Sequence, residues 1–261
     1  MSWSPTQYLT FAAPRLRPAL DLFARVELDA PALIYDLGCG TGQLTQLMAA
    51  RWPGARVVGV DSSAEMLARA AGDAPSARIE WQQADLATWA PPPAATGAPQ
   101  LIYSNAALHW LPEHATLLPR LVAALAPGGV LAVQMPRNFE APSHTAIADT
   151  VLAGPWRDRL ALMLRPSPVA SPAWYFGVLS PHAASVDIWE TEYLQVLTGT
   201  DPVKEWTKGT WLAPFLAALA DDAERARFEA DYAARVRAAY PPRADGRTLF
   251  PFRRLFMLVR R

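Results

Sequence analysis

The stretch Asp36-Leu37-Gly38-Cys39-Gly40-Thr41-Gly42 restricts this 261-residue chain more than any other seven residues in it. Leu33-Ile34-Tyr35 before it reads as a buried strand, so the three alternate glycines form a turn in which no side chain blocks a ligand from the backbone. A second apolar run, Val57-Val58-Gly59-Val60, closes on Asp61, nineteen positions after Gly42. In a parallel α/β sheet an acid at that strand end accepts hydrogen bonds from ribose hydroxyls, while the glycine turn cradles the rest of the ligand. The combination indicates a nucleoside cofactor.

Departures from the dinucleotide fingerprint decide which nucleoside. The spacing is Gly-x-Gly-x-Gly rather than Gly-x-Gly-x-x-Gly, and Asp36 stands two residues before the first glycine. A pyrophosphate favours free amides at a helix N-terminus and no nearby negative charge. Asp36 favours a cationic group instead, such as the α-amino group of an amino acid. S-adenosylmethionine carries that amine together with a sulfonium.

Composition narrows the class. With 51% hydrophobic residues, 18% charged residues and a formal net charge of +0, the chain can bury a sizeable core, and disorder is not expected. No basic excess points to a nucleic-acid partner. No apolar run of about eighteen residues points to a membrane span. The N-terminus shows no basic segment followed by an apolar one, so no secretory signal is expected and the cytoplasm is the expected compartment. Cys39 is the single cysteine; it has no disulfide or metal partner and reads as a small residue packed between two glycines of the turn. The 24 basic residues divide into 2 Lys and 22 Arg, a bias read as genome composition, with only a few arginines available as carboxylate-binding forks.

The order of elements predicts a doubly wound, mostly parallel, seven-stranded α/β sheet with a helical lid insertion. A proline-containing helical segment over Tyr8–Val26 comes first and is expected to pack over the cofactor site. Strands follow at 33–37, 56–61, 77–82, 100–104 and 129–135, with helices at 43–51, 63–72 and 113–125. Pro91-Pro92-Pro93 marks a turn, and Pro127-Gly128-Gly129 ends a helix before the sheet resumes. Residues 138–182 are helical and proline-broken. Strict alternation over 186–193 predicts a half-buried antiparallel strand; helices at 201–209, 212–220 and 222–239 and a closing strand at 255–259 complete the chain. The whole is read as one domain over 1–261: a helical cover over 1–30, a cofactor-binding core over 31–137 and lid elements over 138–182 and 200–247.

With these motifs in hand the sequence resembles the class I S-adenosylmethionine-dependent methyltransferases. Asp36 to Gly42 resembles that family's glycine-rich motif. Asp61-Ser62-Ser63-Ala64-Glu65-Met66-Leu67 resembles the acidic strand end and the helix whose Met lies against the adenine. Ala84-Asp85-Leu86 resembles the motif whose acid accepts from the adenine amino group. Ser104-Asn105-Ala106-Ala107-Leu108-His109-Trp110 resembles the loop after the fourth strand, and Leu125 to Met135 the glycine-containing fifth strand. Further segments are similar to the branch of the family that methylates trans-aconitate: Trp3 to Tyr8 with Arg15 to Pro18, Ala132 to Asn138, Gly154 to Trp156, Glu205 to Thr210 and Ala239 to Arg247. That similarity runs essentially end to end. It implies a small tricarboxylate partner and transfer of a methyl group to one carboxylate. Asn105 stands where many relatives place an acid, which leaves the methionine end to the loop backbone and Asn105; Thr41 replaces a proline seen in some relatives.

A carboxylate with a pKa of about 4 is already ionised at neutral pH, so such a reaction requires no general base. Proximity and orientation, worth roughly 7–11 kcal/mol when complete, would carry it. Arginine forks are the natural clamp for the other carboxylates, and Arg247, Arg137 and Arg157 are the candidates. Trp110 and Trp174 are candidates for the pocket wall or for plain core. His109 reads as a polar loop residue orienting the substrate or Asn105. The expected cofactor set is Tyr8, Arg17, Asp36, Gly38, Gly40, Gly42, Asp61, Ser62, Met66, Asp85, Leu86 and Asn105, with Asp61 and Asp85 expected at buried strand ends; Tyr8 and Arg17 have capping and packing of the N-terminal helix as their alternative. No metal is expected, and a monomer is. The rival readings are methylation of another small or carrier-bound carboxylate, an NAD-dependent oxidoreductase and a non-catalytic cofactor-binding module.

Overall fold

The structure, a computed structural model, describes residues 12–73, 78–91 and 97–261. Tyr8, the segment Trp3 to Gln7, and Pro92 and Pro93 lie outside the described residues. The first half alternates as an α/β chain should: α1 (Ala12–Ala24), β1 (Leu33–Leu37), α2 (Gln43–Arg51), β2 (Arg56–Asp61), α3 (Ala64–Asp73), β3 (Ile79–Gln83), β4 (Leu101–Asn105), α4 (His114–Ala124) and β5 (Val130–Pro136). Then come α5 (Pro142–Ala153), α6 (Arg157–Leu160), α7 (Pro172–Leu179), β6 (Ser185–Leu197), α8 (Pro202–Lys208), α9 (Ala213–Ala217), α10 (Asp222–Ala239) and β7 (Thr248–Arg260).

The seven strands form one sheet in the order β3-β2-β1-β4-β5-β7-β6. Strands β1 to β5 are parallel. The amide of Arg137 donates to the carbonyl of Arg253, and that of Arg261 to the carbonyl of Gly129, so β7 runs antiparallel to β5. The amide of Ala184 donates to Arg260, and the Trp189 and Phe256 rings stack with centroids 5.0 Å apart, so β6 is antiparallel to β7. The strand order reverses between β1 and β4. In such sheets the crevice for a ligand lies outside the carboxyl ends of the strands at that reversal.

Two strands are longer than the local pattern predicts. β6 continues four residues past Tyr193, with Tyr193 and Leu197 buried and the intervening Leu194 and Val196 exposed. β7 begins at Thr248 rather than 255 because Phe250 and Phe252 keep the alternation, both buried, across Pro251. A proline in a run argues against a strand when read from sequence alone.

The chain divides into two compact units. One contains Pro18–Pro136, Pro168–Thr191 and Leu255–Arg261; the other contains the described residues up to Arg17, Arg137–Ser167 and Glu192–Arg254. The expected lid span 138–182 is therefore split, with its last part in the sheet unit. In that unit every residue of β1 and β5 is buried, as parallel strands covered on both faces require. The hydroxyl of Tyr103, in the middle of β4, donates to the carbonyl of Ala19 in α1 at 2.6 Å. Phe23 of α1 lies edge-on to Trp52 and Tyr103, with centroids 5.5 and 6.3 Å away. The second unit is built on aromatic residues: Trp156, Trp206, Phe228, Tyr232, Phe250 and Phe252 share one buried cluster. Several of its polar groups are paired inside it. Tyr232 donates to the carbonyl of Ser143 at 2.7 Å, and Arg159 forks onto both carboxylate oxygens of Glu224.

No helix among the described residues is long and apolar enough to cross a membrane.

Candidate active site

The glycine turn is held from two sides. Gly38, Gly40 and Gly42 all have left-handed φ, of 76°, 56° and 76°, a region that costs other residues energy. A Cβ on Gly38 would meet the Cβ of Ala107 at 2.1 Å, and one on Gly42 would meet the Trp81 ring at 2.3 Å. At Gly40 a Cβ would meet nothing within 4 Å. The turn is thus pressed into the sheet at its two ends and opens in the middle, where a ligand can approach.

Asp61 fastens this turn. Its Oδ2 accepts from the Gly40 amide and its Oδ1 from the Ser63 amide, each at 2.9 Å. Each carboxylate oxygen keeps a further lone pair, so the half-buried acid can still accept from a diol. Asp85 corrects the expectation of a buried strand end: it is exposed, two residues beyond β3, and its carboxylate accepts from the Ala87 amide at 2.9 Å. The Asp side chain's own turn, rather than the strand, places it. Leu86 beside it is buried, as is Met66 on α3, whereas Ser62 is exposed.

Asp36 is nearly inaccessible to solvent and accepts from the Thr45 hydroxyl at 2.7 Å. Burial pushes its carboxyl up to about 7; the Thr45 hydrogen bond lowers it, and the charge of Asp61 raises it. A cation bound alongside would favour the ionised form. Cys39, between the glycines, is likewise pushed up by burial and by the two aspartates, which makes it a packing residue and not a nucleophile at neutral pH.

On the next strand Asn105 ends β4 with its Oδ1 buried and lacking a hydrogen-bond partner. Ala106 follows at φ 52°, and its amide donates to the carbonyl of Gln134 at 2.9 Å. A left-handed alanine is strained backbone. The loop then makes a short 3-10 turn over Leu108–Trp110. His114 pins that turn to α7: one ring nitrogen lies 2.7 Å from the Tyr175 hydroxyl, the other 2.9 Å from the Leu108 carbonyl. His109 is buried against Trp110, with ring centroids 4.6 Å apart. Trp110 and Trp174 are 39% and 41% exposed, so neither is core.

The sheet unit contains Asp36, the glycines, Asp61, Ser62, Met66, Asp85, Leu86, Asn105, His109, Trp110 and Trp174. The arginines belong to the other unit. Arg17 is exposed, with its guanidinium 5.2 Å from the Tyr193 ring centroid. Arg137 is half-buried, and Arg157 is exposed at the start of α6. Arg247 holds Asp245 in a surface turn, at 2.7 Å through its Nη2 and 2.9 Å through Nε. Sequence reasoning missed His114, Tyr175 and Gln134. The first two lie 61 positions apart, so no local pattern joins them. Gln134 did carry a signal: it is the one amide in the run Val130-Leu131-Ala132-Val133-Gln134-Met135.

Because the folded-state pKa of Asp36 lies above its unfolded value, its neutral form favours the fold below about pH 4 and that contribution is lost as pH rises through about 7. Asp36→Asn should therefore raise the Tm of the unliganded protein by several degrees at pH 8, by a smaller amount at pH 5 and hardly at all at pH 3. Thermal unfolding across that range checks it; an unchanged or lowered Tm at pH 8 would contradict the burial of a charge there.

Comparison with known proteins agrees with this geometry. Residues 34–129 match the family described as "Methyltransferase domain". A trans-aconitate 2-methyltransferase of Azoarcus sp. (strain BH72) is 52% identical over 259 residues, covering 99% of this chain and 98% of that one. Proteins of the same name from Paracidovorax citrulli and Agrobacterium fabrum are 47% and 45% identical, with 99% of this chain and 98% and 99% of theirs covered. Among solved structures, the phosphoethanolamine N-methyltransferase 2 of Haemonchus contortus, in complex with phosphomonomethylethanolamine and S-adenosylhomocysteine, superposes with a TM-score of 0.54. It is 15% identical and covers 93% of this chain and 52% of that one. An S-adenosylmethionine-dependent methyltransferase of Mesorhizobium loti gives 0.50 at 22% identity, with 95% and 98% covered. These two share the fold. Nothing among the relatives supports the oxidoreductase alternative. Relatives this similar along the whole of both chains settle the membership: the chain belongs to the trans-aconitate 2-methyltransferase family.

Proposed function

We propose that this protein transfers the methyl group of S-adenosylmethionine to a carboxylate of trans-aconitate, giving its monomethyl ester. The observation that carries the reading is the 52% identity to a trans-aconitate 2-methyltransferase over 99% of the chain, and the sheet edge supports it. Residues there suit the cofactor: the opening at Gly40 admits a ligand against the backbone, and Asn105 Oδ1 is a buried acceptor awaiting a donor. Asp36 faces the α-ammonium, Asp61 takes the ribose diol, and Asp85 the adenine amino group. Met66 and Leu86 supply apolar surface for the base, with Ser62 at its exposed rim.

When bound, S-adenosylmethionine supplies a sulfonium methyl: a carboxylate oxygen bonds to that carbon as the carbon–sulfur bond breaks and its electron pair returns to sulfur. No proton changes hands. The protein's task is therefore to hold an already ionised nucleophile in line and to keep water out, the kind of positioning that is worth roughly 7–11 kcal/mol when complete. An arginine on the attacking oxygen would reduce its nucleophilicity. Arg247, Arg137 and Arg157 are accordingly the candidates for the distal carboxylates, where forked charge-assisted bonds fix orientation; within the sheet unit, Trp110, Trp174 and His109 are the candidates for substrate contact.

Incubation with methyl-labelled cofactor and, separately, trans-aconitate, cis-aconitate and citrate should put label into an ester of trans-aconitate most rapidly; an unlabelled trans-aconitate pool would sink the assignment of the acceptor. Arg247→Ala releases only a surface ion pair with Asp245, of small worth to stability. It should raise the KM for trans-aconitate about 10- to 100-fold, the size of one charge-assisted contact, and leave S-adenosylhomocysteine affinity unchanged. Equal loss of both would make Arg247 structural.

A further inference from the structure

Gln134 is 1% exposed, and neither its Oε1 nor its Nε2 has a hydrogen-bond partner. It lies near the carboxyl end of β5, directly across from Asn105 on β4 in the parallel register, so the two side chains leave the same face of the sheet. Asn105 Oδ1 is also buried without a partner. Three orphaned polar atoms therefore share one strand pair. A buried amide with both ends unmatched costs the fold free energy that Met or Leu at the same place would not, so packing alone gives no reason for a glutamine there.

The arrangement of the three atoms identifies what completes them. Asn105 Oδ1 and Gln134 Oε1 are acceptors and suit a cationic group; Gln134 Nε2 is a donor and suits an anion. Their place in the sheet agrees. Strand neighbours in a sheet are about 4.8 Å apart, so Asn105 lies one strand from β1, whose end carries the glycine turn, and Gln134 lies two. The backbone bond from Ala106 to the Gln134 carbonyl, made by a residue in the left-handed region, fixes the spacing between them.

We propose that Gln134 orients the attacking carboxylate: its Nε2 donates to that carboxylate while its Oε1 faces the cofactor's sulfonium, a charge that S-adenosylhomocysteine lacks, and Asn105 Oδ1 faces the methionine α-ammonium. The inference rests on the carboxylate methyltransferase reading above and deepens it. A neutral amide is suited to this place. It fixes the direction of the nucleophile with one hydrogen bond and leaves the carboxylate its charge, which a guanidinium would neutralise.

Gln134→Met tests it, since methionine fills a similar volume and removes the orphaned amide. With saturating cofactor, kcat for trans-aconitate should fall about 100-fold. S-adenosylhomocysteine affinity should stay within threefold, and the Tm should be equal to or above that of the wild type. A kcat within threefold of wild type overturns the proposal; so does a loss of S-adenosylhomocysteine affinity that matches the loss of rate, which makes Gln134 a cofactor ligand. Should the variant fail to fold, the wild-type protein supplies the second measurement. In its S-adenosylhomocysteine complex, the nitrogen-15 side-chain amide resonance of Gln134 should move on addition of trans-aconitate, and an unmoved resonance overturns the proposal. Wild-type protein that makes no ester from any carboxylate overturns the underlying reading and this one with it, whereas an active wild type with an equally active Gln134→Met overturns this one alone.

Discussion

The carboxylate of Asp61 is the fastening on which the candidate site depends. One oxygen takes the amide of Gly40 and the other that of Ser63, so a single side chain ties the glycine turn after β1 to the start of the helix after β2. With the turn drawn in, its end glycines lie against Ala107 and Trp81 at distances no Cβ tolerates. Its middle glycine is left facing open space. The same acid that is proposed for the ribose therefore also shapes the turn proposed to cradle the rest of the nucleoside.

Around that fastening, the carboxyl ends of the parallel strands carry polar groups that the fold by itself leaves costly. Asp36 is buried with one hydroxyl for a partner, Ala106 is held in the left-handed region, and Asn105 and Gln134 keep amide atoms unmatched. Such features concentrate where a ligand completes them. Elsewhere in the two units Tyr103 bonds Ala19, Tyr232 bonds Ser143, and Arg159 forks onto Glu224.

Much of this was legible in the sequence, because it is written in local pattern. Apolar runs ending in Asp36 and Asp61, and glycines at alternate positions between them, are read without knowing what packs where. The five parallel strands follow from the same periodicity. What escaped depends on partners distant in the chain or on breaks in the pattern. Pro251 hides the first half of β7, although Phe250 and Phe252 keep the alternation. The acidic strand end expected at Asp85 is an exposed turn, since Asp, Thr and their neighbours cap their own backbone there. His114 and Tyr175 meet only in three dimensions. Gln134 was visible as a lone amide in an apolar strand, and it takes burial and the absence of partners to turn that oddity into a candidate for substrate contact.

The account makes the carboxylate itself the nucleophile, oriented and not activated. The most direct measurement uses trans-aconitate carrying oxygen-18 in its carboxylates together with carbon-13 methyl cofactor, followed by mass spectrometry of the ester. The product should gain the labelled methyl and keep both oxygen-18 atoms of the esterified carboxylate. Loss of one oxygen-18 from that group would mean that the acyl carbon, not the carboxylate oxygen, is the reacting centre, and would contradict the account.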